Sequence, residues 1–587
     1  MKIRTRLYAT CAMIVFLFFG AIIGAFVARS LRNNSSHSSA FLSQKAFYDT
    51  AFNSIEKDKI PSLSGVKGAV VNHHLLSPQF IARALTAASY GSKNPETVVL
   101  ISPNHFGRGH NNIILSASNW ETPYGTIFAN KSLAKKLRGE NVAAIDESPF
   151  EYEHGISNIT AFIKNTFPDS TILPVIIKDS VSALQEAAFA EELLKNAPEN
   201  SLFVFSADFS HYTSDAGADF HDEKSLIILN NLEYANAHFL DIDSQAGLRI
   251  FLKIMESLGA KRWTMLDHSN SAKITDSDGQ EGVTSHITGI FSRSEDINYK
   301  KSATILALGD LMLDRGVAET IEEKGEDFVF EKISRFLGGS DLVVANLEGP
   351  FTEKMPLREG KEKINFSFNE GLTEVLAKLG VTHLNLANNH TLDSGLPGLQ
   401  DTRNILTKNN IRYFGDPLNK DEISDVVEIH GLEIAFVGFH QFSQSGFDDV
   451  INEIKKLSAS ADYVMVYAHW GAEMSKYPSR SQIDFARGFI DAGADIVIGT
   501  HPHVVQPMDK GHPIFYSLGN FLFDQNFSKE VMQNIGIGIA ITPEYTDVFV
   551  FPMVIRAGQP HLAEYLGRSI LLKNMAIPER IRLSNTK

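Results

Sequence analysis

Asp310, Asn346, Glu348, Asn388, His390, Asp393, His469, His501 and His503 lie far apart along the chain, yet each comes just after an apolar run of strand length. ATILALG leads to Asp310, and DLVVA to Asn346 and Glu348. HLNLA leads to Asn388, Asn389, His390 and Asp393, YVMVYA to His469, and DIVIGT to His501 and His503. In open α/β sheets, ligands bind beyond the carboxyl ends of the strands. A single histidine after a strand is more often structural, but core packing does not call for five strand ends that all deliver Asp, Asn, Glu or His. Oxygen and imidazole donors without thiolates suit two hard or borderline divalent ions such as Mn, Zn or Fe. The chemistry expected of them is metal-assisted hydrolysis. Arg315 and Arg480 could orient an anionic substrate there, because a guanidinium matches phosphate and carboxylate in two places.

An earlier stretch repeats the logic with other residues. GAVVN leads to His73 and His74, TVVLISPN to His105, and SLFVFSA to Asp208 and His211; His154 precedes a helical pattern. Three imidazoles with open positions suit iron, copper or zinc.

The elements that must position these groups alternate between continuous apolar runs and helical patterns. Such runs indicate strands covered on both faces, and the alternation gives an α/β class. Ser481–Ala492 reads as a helix closed by Gly493. A charged, apolar-poor seam at Ser292–Ser302 separates two halves, each large enough for a core of its own. The expected organisation is a transmembrane anchor over 1–28, a polar stalk over 29–66, and α/β domains over 67–295 and 302–587. The anchor rests on the uncharged run Leu7–Ala28, about 22 residues and long enough to span a bilayer as a helix. Basic residues before it favour a single-pass protein of the cell membrane with the bulk of the chain extracytoplasmic.

Composition narrows the partners. The net charge of −15 argues against a phosphate-backbone binder, so no nucleic acid is expected. One cysteine in 587 residues excludes an intramolecular disulfide and a cysteine-rich zinc framework.

GDLMLDR, ANLEGP, LANNHTLDSG, YAHWGAE and GTHPHV resemble the ordered motifs of the CapA family, the poly-γ-glutamate capsule synthesis proteins. That family is similar to calcineurin-like metallophosphoesterases, which implies an α/β sandwich. The resemblance implies metal ligands at Asp310, Glu348, Asn388, His469, His501 and His503, with Asn346 beside them. His390, with Asp393, would form the catalytic pair that protonates a leaving oxygen. The first phosphoesterase motif departs here, since Leu311 and Met312 follow Asp310 where Asp-x-His is usual. SPNHFG, EHGISN, SADFSHY and TSHITG resemble the MEMO-like family, specifically AmmeMemoRadiSam system protein B, which is similar in fold to class III extradiol dioxygenases. This implies metal ligands at His73 or His74, His105 and His211, with Asp208 beside them. Ala246 stands where some relatives carry a cysteine.

These resemblances imply an envelope protein that acts in synthesis or export of an anionic surface polymer such as poly-γ-glutamate, by metal-dependent hydrolase chemistry. Its partners would be the membrane, an anionic polymer or phosphoester substrate, and capsule or polymer synthesis machinery. The alternatives are a non-catalytic polymer-binding or assembly subunit, and a MEMO-like metal-dependent oxidoreductase with an accessory CapA-like half.

Overall fold

The computed structural model describes residues 36–92, 94–277, 282–353, 365–443, 446–509 and 511–584. They divide into two compact units. One comprises the described residues through Asp208 with Asp243–His268 and His286–Asp296; the other comprises Phe209–Ile242, Ser269–Ser285 and Ile297 onward. The second unit therefore takes in two segments from the stretch read as the first half.

In the first unit, strands Val66–Val71, Ser201–Ser206, Thr97–Pro103 and Thr171–Ile177 run parallel and lie side by side in that order. Every residue of Thr97–Pro103 is buried, as the continuous apolar run requires of a strand covered on both faces. Helices Pro78–Gly91 and His154–Thr166 cover one face through Ile81, Leu85, Ile159 and Phe162. On the other face, Phe251 of helix Gln245–Ser257 packs on Phe205 and Phe291. The segment read as a polar stalk contributes helix Lys45–Asn53, whose Tyr48 and Ala51 are buried in the same core.

The second unit contains two sheets. In one, strands Ala303–Leu311, Leu342–Leu347, His383–Asn385 and Arg412–Phe414 are parallel neighbours, and Gln533–Ile541 and Tyr545–Arg556 extend the sheet antiparallel. In the other, Leu432–His440, Tyr463–His469, Ile496–Thr500 and Ile514–Phe515 run parallel. The two meet through Ile305, Val344, Phe436, Met465, Tyr467 and Ile498. Tyr467 fastens them: its hydroxyl accepts from the Leu308 amide at 3.1 Å and faces the Val344 carbonyl at 3.0 Å. Helices cover the outer faces; Arg480–Asp491, for example, is capped by Ser479, and Gly493 follows it with φ 108°. Two α/β units are thus present.

The expected single-pass membrane anchor is corrected here. Among the described residues, no helix is long and apolar enough to cross a membrane. The longest, Asp215–Asn231, has 17 residues and carries Asp215, Asp219, Asp222, Glu223 and Lys224. It is too short and too charged for a hydrocarbon core. The run Leu7–Ala28 lies outside the described residues.

Candidate metal centres

Strand register builds the second unit's site. Asp310 pairs with Asn346 on one side and Asn520 on the other, and Asn346 pairs with Asn385, so four strands place polar side chains at one level. In the other sheet, His440, His469 and Thr500 form the corresponding row. Gly309 allows this crowding, because a Cβ there would meet the Gly519 carbonyl oxygen at 1.9 Å.

Asp310 is fully buried. Its Oδ1 accepts from Asn346 Nδ2 at 2.8 Å, and its Oδ2 accepts from the His501 amide at 3.2 Å. Nδ1 of His503 lies 3.2 Å from Asp310 Oδ2 and 2.9 Å from Asn520 Oδ1, and its Nε2 lies 3.7 Å from Glu348 Oε1. Glu348 is buried, and neither of its oxygens finds a hydrogen-bond donor. Burial, and then the charge of Asp310, pushes its carboxyl well above the ordinary range. Burial pulls His503 down, but Glu348 and Asp310 outweigh it and hold the ring at about 9. His501 is held at about 4 by burial and by His503. His469 is driven well below the usual range by burial and the neighbouring histidines.

Donor atoms of Asp310, Glu348 and His503 lie within 4.8 Å of one another, and so do those of Glu473, His501 and His503. The structure thus brings together Asp310, Glu348, His501 and His503. His469 joins them through Asn346 Nδ2 at 3.3 Å and its ring contact with His501, centroids 4.7 Å apart. Asn388 turns its Oδ1 back onto its own loop, where it accepts from the His390 amide and Thr391; Asn389 instead meets His469 Nε2 at 2.6 Å. His390 Nδ1 lies 2.8 Å from Asp393 Oδ2. His501 and His503 have φ of 91° and 58°. Such left-handed backbone costs of order 1–3 kcal/mol at a non-glycine residue and collects at functional sites. Arg315 pairs with Asp524 and lies against Phe366 and Phe523, whereas Arg480 makes an exposed i,i+4 pair with Asp484. Glu473 escaped the sequence reading although it lies in a motif quoted there, a few positions from His469; Asn389 was named after its strand but not among the implied ligands.

In the first unit, three adjacent parallel strands each deliver a donor: His73, Asp208 and His105 follow Val66–Val71, Ser201–Ser206 and Thr97–Pro103. His73, His105 and His154 form one group with donors within 4.8 Å, and His73, Asp208 and Asp243 form another. His105 Nδ1 is 2.5 Å from Glu153 Oε1, and Glu153 also caps its helix by accepting from Gly155. Burial lowers His105, but its bonds to Asp243 and Glu153 raise it to about 9. His154 is held at about 4 by burial and the charges of His73 and His105. His74 is exposed, and its Nδ1 accepts from Leu76 at 3.3 Å. His211 lies in the second unit, where its amide donates to Asp241 Oδ1 at 3.4 Å.

A Memo-like protein family model matches residues 55–286, and the model described as bacterial capsule synthesis protein PGA_cap matches 304–525. The MEMO1 family protein of Aquifex aeolicus is 30% identical over 190 residues, which are 31% of this chain and 70% of that protein. The chain belongs to the MEMO1 family through its first half and carries a CapA-like second half. The PGA biosynthesis protein CapA of Bacillus subtilis is 34% identical over 241 residues, which are 38% of this chain and 63% of that protein. The chain thus spans about three fifths of the length of its CapA relatives. The NAD nucleotidase of Haemophilus influenzae aligns at 10% identity over 48% of this chain and 58% of that one, with a TM-score of 0.25, too low to carry an argument.

Proposed function

We propose that the CapA-like half performs metal-dependent hydrolysis or transfer on an anionic polymer such as poly-γ-glutamate, or on a phosphoester, in capsule formation. The reading is carried by Glu348, a buried carboxylate with no donor to either oxygen, set beside Asp310 and His503. Burying an anion without a partner is strongly unfavourable, so this cradle fits a cation. Asp310, Glu348 and His503 would hold one divalent ion (Mn, Zn or Fe), and Glu473 and His501 would contribute to a second beside it. Bound there, such ions would lower the pKa of a water and neutralise charge on the transferring group. Asn520 and Asp310 fix the orientation of His503, and Asn346 fixes that of Asp310. Asp393 engages His390 Nδ1, which leaves Nε2 to deliver a proton to a leaving oxygen.

The test is metal analysis of the purified full chain, followed by turnover of a phosphodiester, a phosphomonoester and a γ-glutamyl polymer with Mn added. Two ions per CapA-like half and turnover of any of these support the reading. Metal-replete protein without turnover would transfer the assignment to a polymer-binding or assembly role. That second reading draws on Asn388, whose Oδ1 is spent on its own loop, and on Met312, which replaces a phosphoesterase histidine.

A further inference from the structure

We infer that Asp243 is a metal ligand in the MEMO-like half, completing with His73 and His105 a two-histidine, one-carboxylate face that suits ferrous ion. Donors bound to one ion at ~2.1 Å in neighbouring positions stand about 3.0–3.4 Å apart. Asp243 Oδ2 lies 3.2 Å from His73 Nε2, within that range, and 3.6 Å from His105 Nε2, slightly beyond it, so one carboxylate oxygen faces both imidazoles. The other oxygen, Oδ1, is buried without a donor, and only about 10% of the side chain is exposed.

Neighbouring residues hold both rings with Nε2 turned to Asp243 Oδ2. Glu153 engages His105 Nδ1 at 2.5 Å, and Ser206 Oγ lies 3.3 Å from His73 Nδ1. Such partners fix the tautomer and aim of a ligating histidine. Asp208 is placed differently. Its Oδ1 takes the His73 amide at 3.3 Å and lies 3.1 Å from His286 Nδ1, while its own amide donates to Asp243 Oδ2 at 3.0 Å. Its Oδ2 lies 3.4 Å from His73 Nε2, so Asp208 borders the site from the side of one ring, whereas Asp243 Oδ2 faces both.

The chemistry of the donor set follows from what this chain lacks. Ala246, on the helix that begins two residues after Asp243, offers no donor atom, and the chain's one cysteine is Cys11. With a carboxylate in place of a soft thiolate, the face is that of non-haem ferrous sites, which keep open positions for further ligands. His154, whose ring stacks on His105 at 4.0 Å and whose side chain is 45% exposed, stands beside those positions.

The probe is ferrous ion alone, added to the full chain without oxygen and followed by nitric oxide, whose high-spin ferrous adduct has a distinctive EPR signal. The Glu348→Gln, His501→Ala double variant, which disturbs both ion sets of the CapA-like half, should keep one ferrous equivalent and its nitrosyl signal. Adding Asp243→Asn, which preserves an acceptor for the Asp208 amide, should lose that equivalent, with affinity down by at least about 100-fold. Asp243→Glu in the same background should recover part of it. Unchanged ferrous affinity with Asp243→Asn overturns the assignment, as does double-variant protein that binds no ferrous ion. Pulsed EPR of the double variant's nitrosyl form counts coordinated imidazoles without altering Asp243: two support the site, and one or three overturn it.

Discussion

In the MEMO-like unit, His105 shares its Nδ1 with Glu153 at 2.5 Å; in the CapA-like unit, Glu348 finds no donor for either oxygen. Both clusters nonetheless split a histidine pair in the same way, His105 near 9 and His154 near 4, His503 near 9 and His501 near 4. The raised member lies against carboxylates and the depressed one against other histidines. What differs is how the acids are treated. Glu153 is satisfied as a helix cap, so the first cluster tolerates the absence of a cation better than the second, where Asp310 and Glu348 oppose one another in a buried space. Metal dependence of the fold should therefore concentrate in the CapA-like half.

The strongest break of this comparison is Asp310→Asn. The new amide NH2 group would face the donor of either Asn346 or the His501 backbone, and the charge that would hold an ion would be gone. Metal content of the CapA-like half and turnover should disappear together, while ferrous binding in the first unit stays intact. Equal activity in Asp310→Asn and wild type, on every substrate that wild type turns over, would refute the catalytic assignment. Next in size is His390→Ala, which should retain metal and slow turnover by roughly 10²–10⁴-fold. Asp393→Asn should act through the orientation of His390 and cost less, about 10-fold. Parallel metal analysis and kinetics separate these from Asp310→Asn, since only the latter should lose both.

The strand-end residues of both sites were legible because a continuous apolar run followed by a polar donor has one natural place in a parallel sheet, its carboxyl edge. Asp310, His469, His73 and His105 all sit there. Asp243, Glu153 and Glu473 were not legible. Asp243 and Glu153 come from a turn and a cap with no apolar run before them, Glu473 comes four residues after the end of its strand, and only tertiary packing turns them toward the histidines. The same limit explains Asn388: sequence does not distinguish it from Asn389, but the loop spends the Oδ1 of Asn388 on the His390 amide and sends Asn389 to His469. Backbone conformation was not legible either: the residue before a proline is biased to extended backbone, yet His501, which precedes Pro502 and whose amide donates to Asp310, is left-handed, as is His503.

Chelation sharpens the comparison through stability. With an ion present at about 100 times its dissociation constant, its removal should cost roughly 2.7 kcal/mol of unfolding free energy. In Glu348→Gln that loss should largely vanish, because the amide removes both the ion's anchor and the buried repulsion with Asp310. The apo variant should even be more stable than apo wild type. Urea melts with and without chelator read both effects, and an apo Glu348→Gln less stable than apo wild type would show that Glu348 is satisfied in some other way.

The smallest expected effect comes from a third histidine, which separates ion pairing from metal binding. His430 places Nδ1 2.5 Å from Glu233 Oε2 and Nε2 3.4 Å from Asp341 Oδ1, and its side chain is 6% exposed. Burial lowers it, but the two acids raise it to about 9, as high as His105 and His503. Lys224, which donates to the Ser340 carbonyl at 2.8 Å, adds a positive charge that, with His430, holds Asp341 below the ordinary range. A folded pKa above the unfolded value of ~6.5 means that the protonated ring stabilises the fold fully below pH ~6.5. The contribution is lost as pH rises through about 9, and amounts to at most about 3 kcal/mol. In His430→Gln, the stability gap to wild type should therefore be widest near pH 6 and close toward pH 10. Chelator should leave that closing unchanged, because His430 belongs to neither cluster. A gap that stays constant with pH would mean that His430 is neutral in the fold and that its two acids are satisfied by Asn231 and Asn236 at Glu233 and by Thr304 at Asp341.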